Sequence, residues 1–272
     1  MKVTLADMTW PEIEEVLKKP NAVILPIGST EQHSLHLPLN VDSLTTTYIA
    51  EQAAKKVTEE HKIHVLVLPT IPYGETSGDP PFGKPFPGSI GISIDTEMRI
   101  VEEIVRSLVS QGFKNIIVLN GHKENVVPSA AALRKVCIDY PSLGLYGINW
   151  FRLGTETWKR ISKSGSAGAG HSGEKETAVS LAIQPENVHL ERAVKGSHGF
   201  FLEDKYISQK TPNAVYFHSC TRGERNCGIM TDPATGTAET GRVMLSAVVD
   251  ELTEIITTIV KSEGITVKEL SR

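Results

Sequence analysis

The sequence predicts a three-layer α/β/α sandwich built on a mainly parallel sheet. Three observations lead there. Four short apolar runs, at residues 22–28, 65–68, 116–119 and 143–148, are continuous rather than alternating, as strands covered on both faces are. Longer segments of helical character separate them, giving the strand–helix alternation of parallel α/β sheets. The 272 residues hold no internal repeat and no low-complexity linker, so 1–272 is read as a single domain.

The elements follow in order. Thr9-Trp10-Pro11-Glu12 is a helix-start signal: a Thr cap, an early Pro and a Glu three residues on. A helix is expected from there to about Lys19, then the first strand at 22–28. Residues 42–59 have helical composition with an acid at the start, and the second strand is 65–68. Residues 72–91 carry ten Gly or Pro in twenty positions, which predicts a long irregular loop of functional type. At 96–111 an amphipathic helix presents Ile100, Val101, Ile104, Val105 and Leu108 on one face and stops at Gly112. The third strand, 116–119, runs into Asn120-Gly121; a helix at 126–138 and the fourth strand, 143–148, follow. After a Gly-rich stretch at 165–170, helices are expected over 174–183 and 238–261. Residues 194–235 are the least regular part and read as an insertion.

Composition narrows the function. Hydrophobic residues make up 40% and charged residues 22%, as in ordinary globular domains. Net charge is −4 without a basic cluster, which argues against a nucleic-acid partner. No apolar run approaches the roughly 20 residues of a membrane helix, and the first residues do not read as a signal peptide. Cys137, Cys220 and Cys227 form no CxxC pair and are read as free thiols in a reducing cytoplasm.

Ligands of open parallel sheets bind beyond the carboxyl ends of the strands. Two segments stand there: Gly28-Ser29-Thr30-Glu31-Gln32-His33 after the first strand and Asn120-Gly121-His122-Lys123-Glu124-Asn125 after the third. Each pairs a Glu and a His two positions apart, and in extended backbone such residues point the same way. Asp42 is close enough in sequence to fold back to the same edge, and its two oxygens can bridge two metals. A Glu-x-His pair alone is usually a solvated surface pair; two of them after buried strands favour a metal site. The expected ligands are Glu31, His33, Asp42, His122 and Glu124. Mixed imidazole and carboxylate ligation suits Zn²⁺ or Mn²⁺. A third segment, His171-Ser172-Gly173-Glu174-Lys175-Glu176-Thr177, offers His171 and Glu174 for acid–base work on a water or a leaving group.

These segments resemble a known family. Gly28-Ser29-Thr30-Glu31-Gln32-His33 with His36-Leu37-Pro38 and Asp42, Phe86-Pro87-Gly88-Ser89, Asn120-Gly121-His122-Lys123-Glu124-Asn125, and His171 to Thr177 are similar, in order, to motifs of the creatininase (creatinine amidohydrolase) family. The resemblance implies a creatininase-like α/β sandwich, two divalent metals (Zn and/or Mn) and a homo-oligomer, often a hexamer. It implies that Glu31 and His122 hold one metal, His33 and Glu124 the other, that Asp42 bridges and that His171 is the acid/base. Many members carry Gly where Glu124 stands, so Glu174 or Glu176 is an alternative for the second metal. Three departures bear on substrate: Ser34 replaces the usual Gly, Lys123 an aromatic residue, and Glu75 stands near the place of a small hydroxyl residue. Ser34, Glu75 and Lys123 are therefore expected to bind substrate, and to favour one rich in hydroxyls or charge.

The resulting expectation is a metal-dependent hydrolase that opens a small polar cyclic substrate by hydroxide attack on a carbonyl. A cyclic keto-inositol of inositol catabolism is favoured, and a lactam such as creatinine, or a formamide, comes second. A non-catalytic metal-binding module is the alternative of another class, and His171 argues against it. A sugar- or nucleotide-binding protein is disfavoured, since no GxGxxG or GxxxxGK[ST] pattern occurs at a strand–helix junction.

Overall fold

The computed structural model describes residues 2–76, 86–165, 169–195 and 232–262. Four parallel strands form one sheet: β1 (Asn21–Ile27), β2 (His64–Val67), β3 (Asn115–Asn120) and β4 (Gly144–Asn149), in the order β2-β1-β3-β4. Among the described residues seven α-helices accompany them: α1 (Trp10–Leu17), α2 (Val41–His61), α3 (Ile94–Gln111), α4 (Val126–Asp139), α5 (Thr155–Ile161), α6 (Glu174–Ile183) and α7 (Ala238–Lys261).

Side-chain alternation along the strands divides the core into two layers. Ala22, Ile24, Val65, Val67, Ile117 and Leu119 pack with Ile49, Ala53 and Val57 of α2 and Met244, Val248 and Leu252 of α7. Val23, Leu25, Ile27, Leu66, Ile116 and Val118 pack with Val101, Val105 and Leu108 of α3, Leu133 and Val136 of α4, and Val16 of α1. Helices thus cover both faces, which is why the strands read as unbroken apolar runs. Pro26 is tolerated inside β1 because it lies past the end of β2, whose last pair is Ile24 with Val67.

The expected elements are all present. Helix α5 was not anticipated, because seven residues with only Trp158 and Ile161 as large apolar side chains carry too little periodicity. Within the irregular stretch 72–91, residues 72–76 and 86–91 form no helix or strand, only single bridges such as Glu75 with Ile92 and Thr30 with Ile90. Of the expected insertion 194–235, residues 196–231 lie outside the described residues, and Cys220 and Cys227 with them.

Chain order reverses between β1 and β3: β2 follows β1 on one side, β3 and β4 lie on the other. The crevice beyond the carboxyl ends of these two strands is where such sheets bind ligands. Two glycines bring the loops there against the start of α2. A Cβ on Gly28 would stand 2.5 Å from Ser43 N, and one on Gly121 would meet Thr46 Oγ1 and lie 2.8 Å from the Asp42 carbonyl. Gly121→Ala is therefore expected to push the first turn of α2 off the sheet edge, at a cost of about 1–3 kcal/mol. Denaturant unfolding measures this, and stability equal to wild type would contradict the packing.

Candidate metal centre

Loops after β1 and β3 and the first turn of α2 bring Glu31, His33, Asp42 and His122 together, all of them buried. Asp42 lies between the two imidazoles. Its Oδ1 is 3.4 Å from His33 Nε2 and its Oδ2 is 3.0 Å from His122 Nδ1. Glu31 Oε2 is 3.2 Å from the same His122 Nδ1. Each imidazole is held from behind by a backbone carbonyl. His33 donates Nδ1–H to the Glu31 carbonyl at 3.0 Å, which turns Nε2 toward Asp42. His122 donates Nε2–H to the Glu75 carbonyl at 3.0 Å, which leaves Nδ1 facing Glu31 and Asp42. A carbonyl of this kind sets tautomer and ring orientation at metal sites.

The acids of the third segment separate. Glu176, at the start of α6, has its Oε2 3.7 Å from His33 Nε2 and accepts the Ser172 N–H at 2.5 Å. Glu174, two residues earlier on the helix, points elsewhere: its carboxylate accepts Ser162 Oγ–H and the N–H groups of Lys163 and Ser164. The loop 162–164 thus occupies the acid that the sequence reading paired with His171. Glu124 touches His122 at Nε2, 3.3 Å away, on the opposite side of the ring from Glu31 and Asp42. Beside His33 and Asp42 stands Glu176, where the resemblance put Glu124.

Three groups of described residues have ligand atoms within 4.8 Å of one another: Glu31–Asp42–His122, His33–Asp42–Glu176 and Glu31–His33–His171. The first two share Asp42. His171 has its Nε2 2.9 Å from the Gln32 carbonyl and 3.0 Å from Gln32 Nε2, and its ring lies 4.6 Å from that of His33. His36 ties the ligand loop to α6 through a 2.9 Å bond between its Nε2 and Thr177 Oγ1.

The electrostatics fit a cation. Three buried or half-buried carboxylates, Glu31, Asp42 and Glu176, face two imidazoles. Burial pushes Glu31 up to about 7, against the pull of His122 and His33, and it also raises Glu176. Burial by itself would lower His33, but Asp42, Glu176 and Glu31 outweigh it and hold the imidazole at about 10. His122 is raised in the same way, against burial, by Glu31 and Asp42. Asp42 is held below the usual carboxylate range by His33 and His122, although burial opposes this. Protons here do the work that cations would do. Glu31 Oε2 and His33 Nε2 are buried without a hydrogen-bond partner, and atoms in that condition fit ligation of an ion.

The residues expected at the substrate are differently placed. Lys123 is exposed, in a short 3-10 turn between His122 and Glu124. Glu75 is buried, and its backbone rather than an exposed side chain meets the centre, through the carbonyl bonded to His122. Ser34 has φ 61°, in the left-handed region. A position of this kind suits glycine and strains other residues by about 1–2 kcal/mol. Sequence reading missed Gln32, Glu97 and the Glu75 carbonyl, since partners reached through backbone leave no residue-type signal. Asn125 could have been singled out as the last residue of its motif.

A parallel α/β sheet with buried carboxylates and imidazoles at its switch point offers a place that could hold a divalent cation. The chain belongs to the creatininase family, whose family model, creatinine amidohydrolase, matches residues 6–256. The chain is 29% identical over 209 residues to creatinine amidohydrolase of Pseudomonas putida, covering 71% of this chain and 76% of that protein. It is 29% identical over 205 residues to 3-dehydro-scyllo-inosose hydrolase of Thermotoga maritima, covering 74% of this chain and 63% of the relative. Against mycofactocin precursor peptide peptidase of Mycobacterium ulcerans the identity is 29% over 250 residues, covering 89% and 83%. A manganese creatininase has the same fold, with a TM-score of 0.78, 24% identity and coverage of 94% of this chain and 98% of that one.

Two outcomes follow for the metal-free protein. Asp42→Asn is expected to lower the affinity of both metal equivalents by more than about 100-fold, the upper end of losses seen for mere supporting partners. Glu124→Gln should retain both; elemental analysis after dialysis separates the two cases. Metal must also displace protons. His33, raised to about 10, is protonated at neutral pH, and Glu31, at about 7, is partly so. Loading is therefore expected to release protons and to strengthen as pH rises from 6 to 9. Calorimetric titration in buffers of different ionisation enthalpy reads this directly, and a buffer-independent heat would contradict it.

Proposed function

We propose that this chain hydrolyses the C–N bond of a carboxamide in a small polar substrate, with two divalent cations, zinc or manganese, as cofactors. The observation that carries the reading is the Asp42 carboxylate, with one oxygen toward each of two imidazoles whose tautomers are held by backbone carbonyls. Glu31, Asp42 and His122 would hold one cation, and His33, Asp42 and Glu176 the other. Such a pair, when bound, polarises a carbonyl and makes hydroxide available near neutral pH.

The remaining steps belong to side chains. His171, tilted against His33 and anchored on Gln32, would carry a proton to the departing nitrogen. Glu124 approaches from the β3 side beside His122, a second carboxylate able to take or return a proton. Lys123, exposed and next in the chain to His122, would suit an oxygen-rich or anionic group on the substrate. The amide reading is supported by the creatinine and peptide hydrolases among the relatives, the latter matching over most of this chain.

Ring opening of a cyclic keto-inositol is the second reading. Lys123 and the Thermotoga relative favour it. We also propose a cytoplasmic homo-oligomer, of hexameric type. Leu35, Tyr73 and Ile90, exposed on the segments that carry the site, support a subunit contact there. No described helix is long and apolar enough to cross a membrane.

Metal-reconstituted protein should be assayed on lactams, N-formyl amides, short peptides and cyclic ketones. Turnover of an amide is expected, abolished by chelation. His171→Ala should lower kcat by about 10²–10⁴ while metal content is unchanged. Opening of a cyclic keto-inositol without amide turnover would replace the first reading by the second. Bound metal with no turnover of any substrate would favour a non-catalytic module.

A further inference from the structure

On its Nε2 side His122 meets the Glu124 carboxylate at 3.3 Å and, at 3.0 Å, the carbonyl of Glu75, which lies on a stretch of chain with neither helix nor strand. What holds that carbonyl is visible at the other end of the same residue. Glu75 N–H donates to Glu97 Oε2 at 2.9 Å and to Asn125 Oδ1 at 3.0 Å. Asn125 in turn donates its amide to the Gly28 carbonyl at 2.9 Å, so one partner of Glu75 is tied to the end of β1. The other, Glu97, stands near the start of α3 and is completely buried. Ser129 of α4 donates its hydroxyl to the second oxygen of Glu97 at 3.2 Å. Ile92 N–H donates to the Gly74 carbonyl at 2.9 Å, which lays residues 74–75 along the lead-in to α3.

The residue type is unexpected for its place. The other buried side chains of α3, Val101, Val105 and Leu108, are apolar and pack on the sheet. A buried carboxylate is costly unless its hydrogen bonds are specific and complete. Both oxygens of Glu97 are used, one toward α4 and one toward the backbone that orients His122.

We propose that Glu97 is a positioning residue for the Glu31–Asp42–His122 half of the centre, acting through the Glu75 backbone. It sets where the Glu75 carbonyl lies, and through it which nitrogen His122 presents to metal. The other half, with His33 and Glu176, takes its orientation from the Glu31 carbonyl and Ser172 N–H and does not depend on Glu97. This inference rests on the metal reading of the site.

The test is a Mn²⁺ titration of the metal-free full chain, followed by calorimetry and by the electron paramagnetic resonance of bound manganese. Glu97→Met keeps the length of the side chain and removes both oxygens. It is expected to weaken one of two metal equivalents about 10–100-fold, as loss of a supporting partner does, and to leave the other within about twofold. Glu97→Gln keeps an oxygen for Glu75 N–H and turns its amide to the Ser129 hydroxyl, so it should restore affinity to within about threefold of wild type. In a His122→Ala background, Glu97→Met should change the remaining equivalent by no more than about twofold.

A residue that merely fastens α3 to α4 would lower thermal stability and weaken both equivalents alike, or neither; either result overturns the proposal. If Glu97→Met does not fold, Ser129→Ala removes the bond that aims Glu97. It should weaken the same single equivalent several-fold (~3–10-fold), and no change there overturns the proposal equally. A wild-type chain that binds no metal would remove this inference and the hydrolase reading together. Two metals in wild type, with no split in the variants, would remove this inference alone.

Discussion

The burial of Asp42 between two imidazoles is the constraint on which the rest depends. Its carboxylate sits at the start of α2, with His33 on one oxygen and His122 on the other, and Glu31 and Glu176 add further negative charge. Like charges this close and this dry repel strongly unless protons or cations lie among them. Without metal the histidines supply the protons, which is why His33 is raised and Asp42 lowered.

The fold serves that cluster by bringing five segments to one edge. The reversal of strand order between β1 and β3 opens a crevice, and both motif loops leave the sheet there. Gly28 and Gly121 let those loops lie against the first turn of α2, so the Asp42 carboxylate comes beside Glu31, His33 and His122. Helix α6 adds Glu176 from the side, tied to the ligand loop through Thr177 and His36. The irregular residues 71–76 look idle by secondary structure, yet they provide the carbonyl that orients His122.

Much of this was legible in residue order. Continuous apolar runs announced a sheet covered on both sides, and Glu31, His33 and His122 stood where such sheets bind ligands. Asp42 could be reached by loop length and the bridging capacity of a carboxylate. Residue order left open which acid stands beside His33 and Asp42: Glu176 lies 3.7 Å from His33, Glu124 lies at His122 Nε2, and Glu174 is bonded to loop 162–164. On a helix, residues two apart point to different sides, so the choice between Glu174 and Glu176 hangs on the rotation of α6. That rotation is set by packing of α6 on α2 and α7, not by any local pattern. The same holds for Glu75, whose residue type suggested substrate contact while its buried backbone does the structural work.

The sequence by itself determined the four strands, their alternation with helices other than α5, and the residue types that meet at the sheet's edge. These follow from hydrophobic patterning and from glycines and prolines, which act over a few residues. Only the tertiary structure decided which nitrogen of each histidine faces the carboxylates, which acid of the third segment joins them, and what stands behind. Those choices depend on carbonyls and buried carboxylates brought together from positions as far apart as Glu75 and Asn125, 50 residues in the chain. Distances between such groups are fixed by packing, and packing is a property of the folded whole.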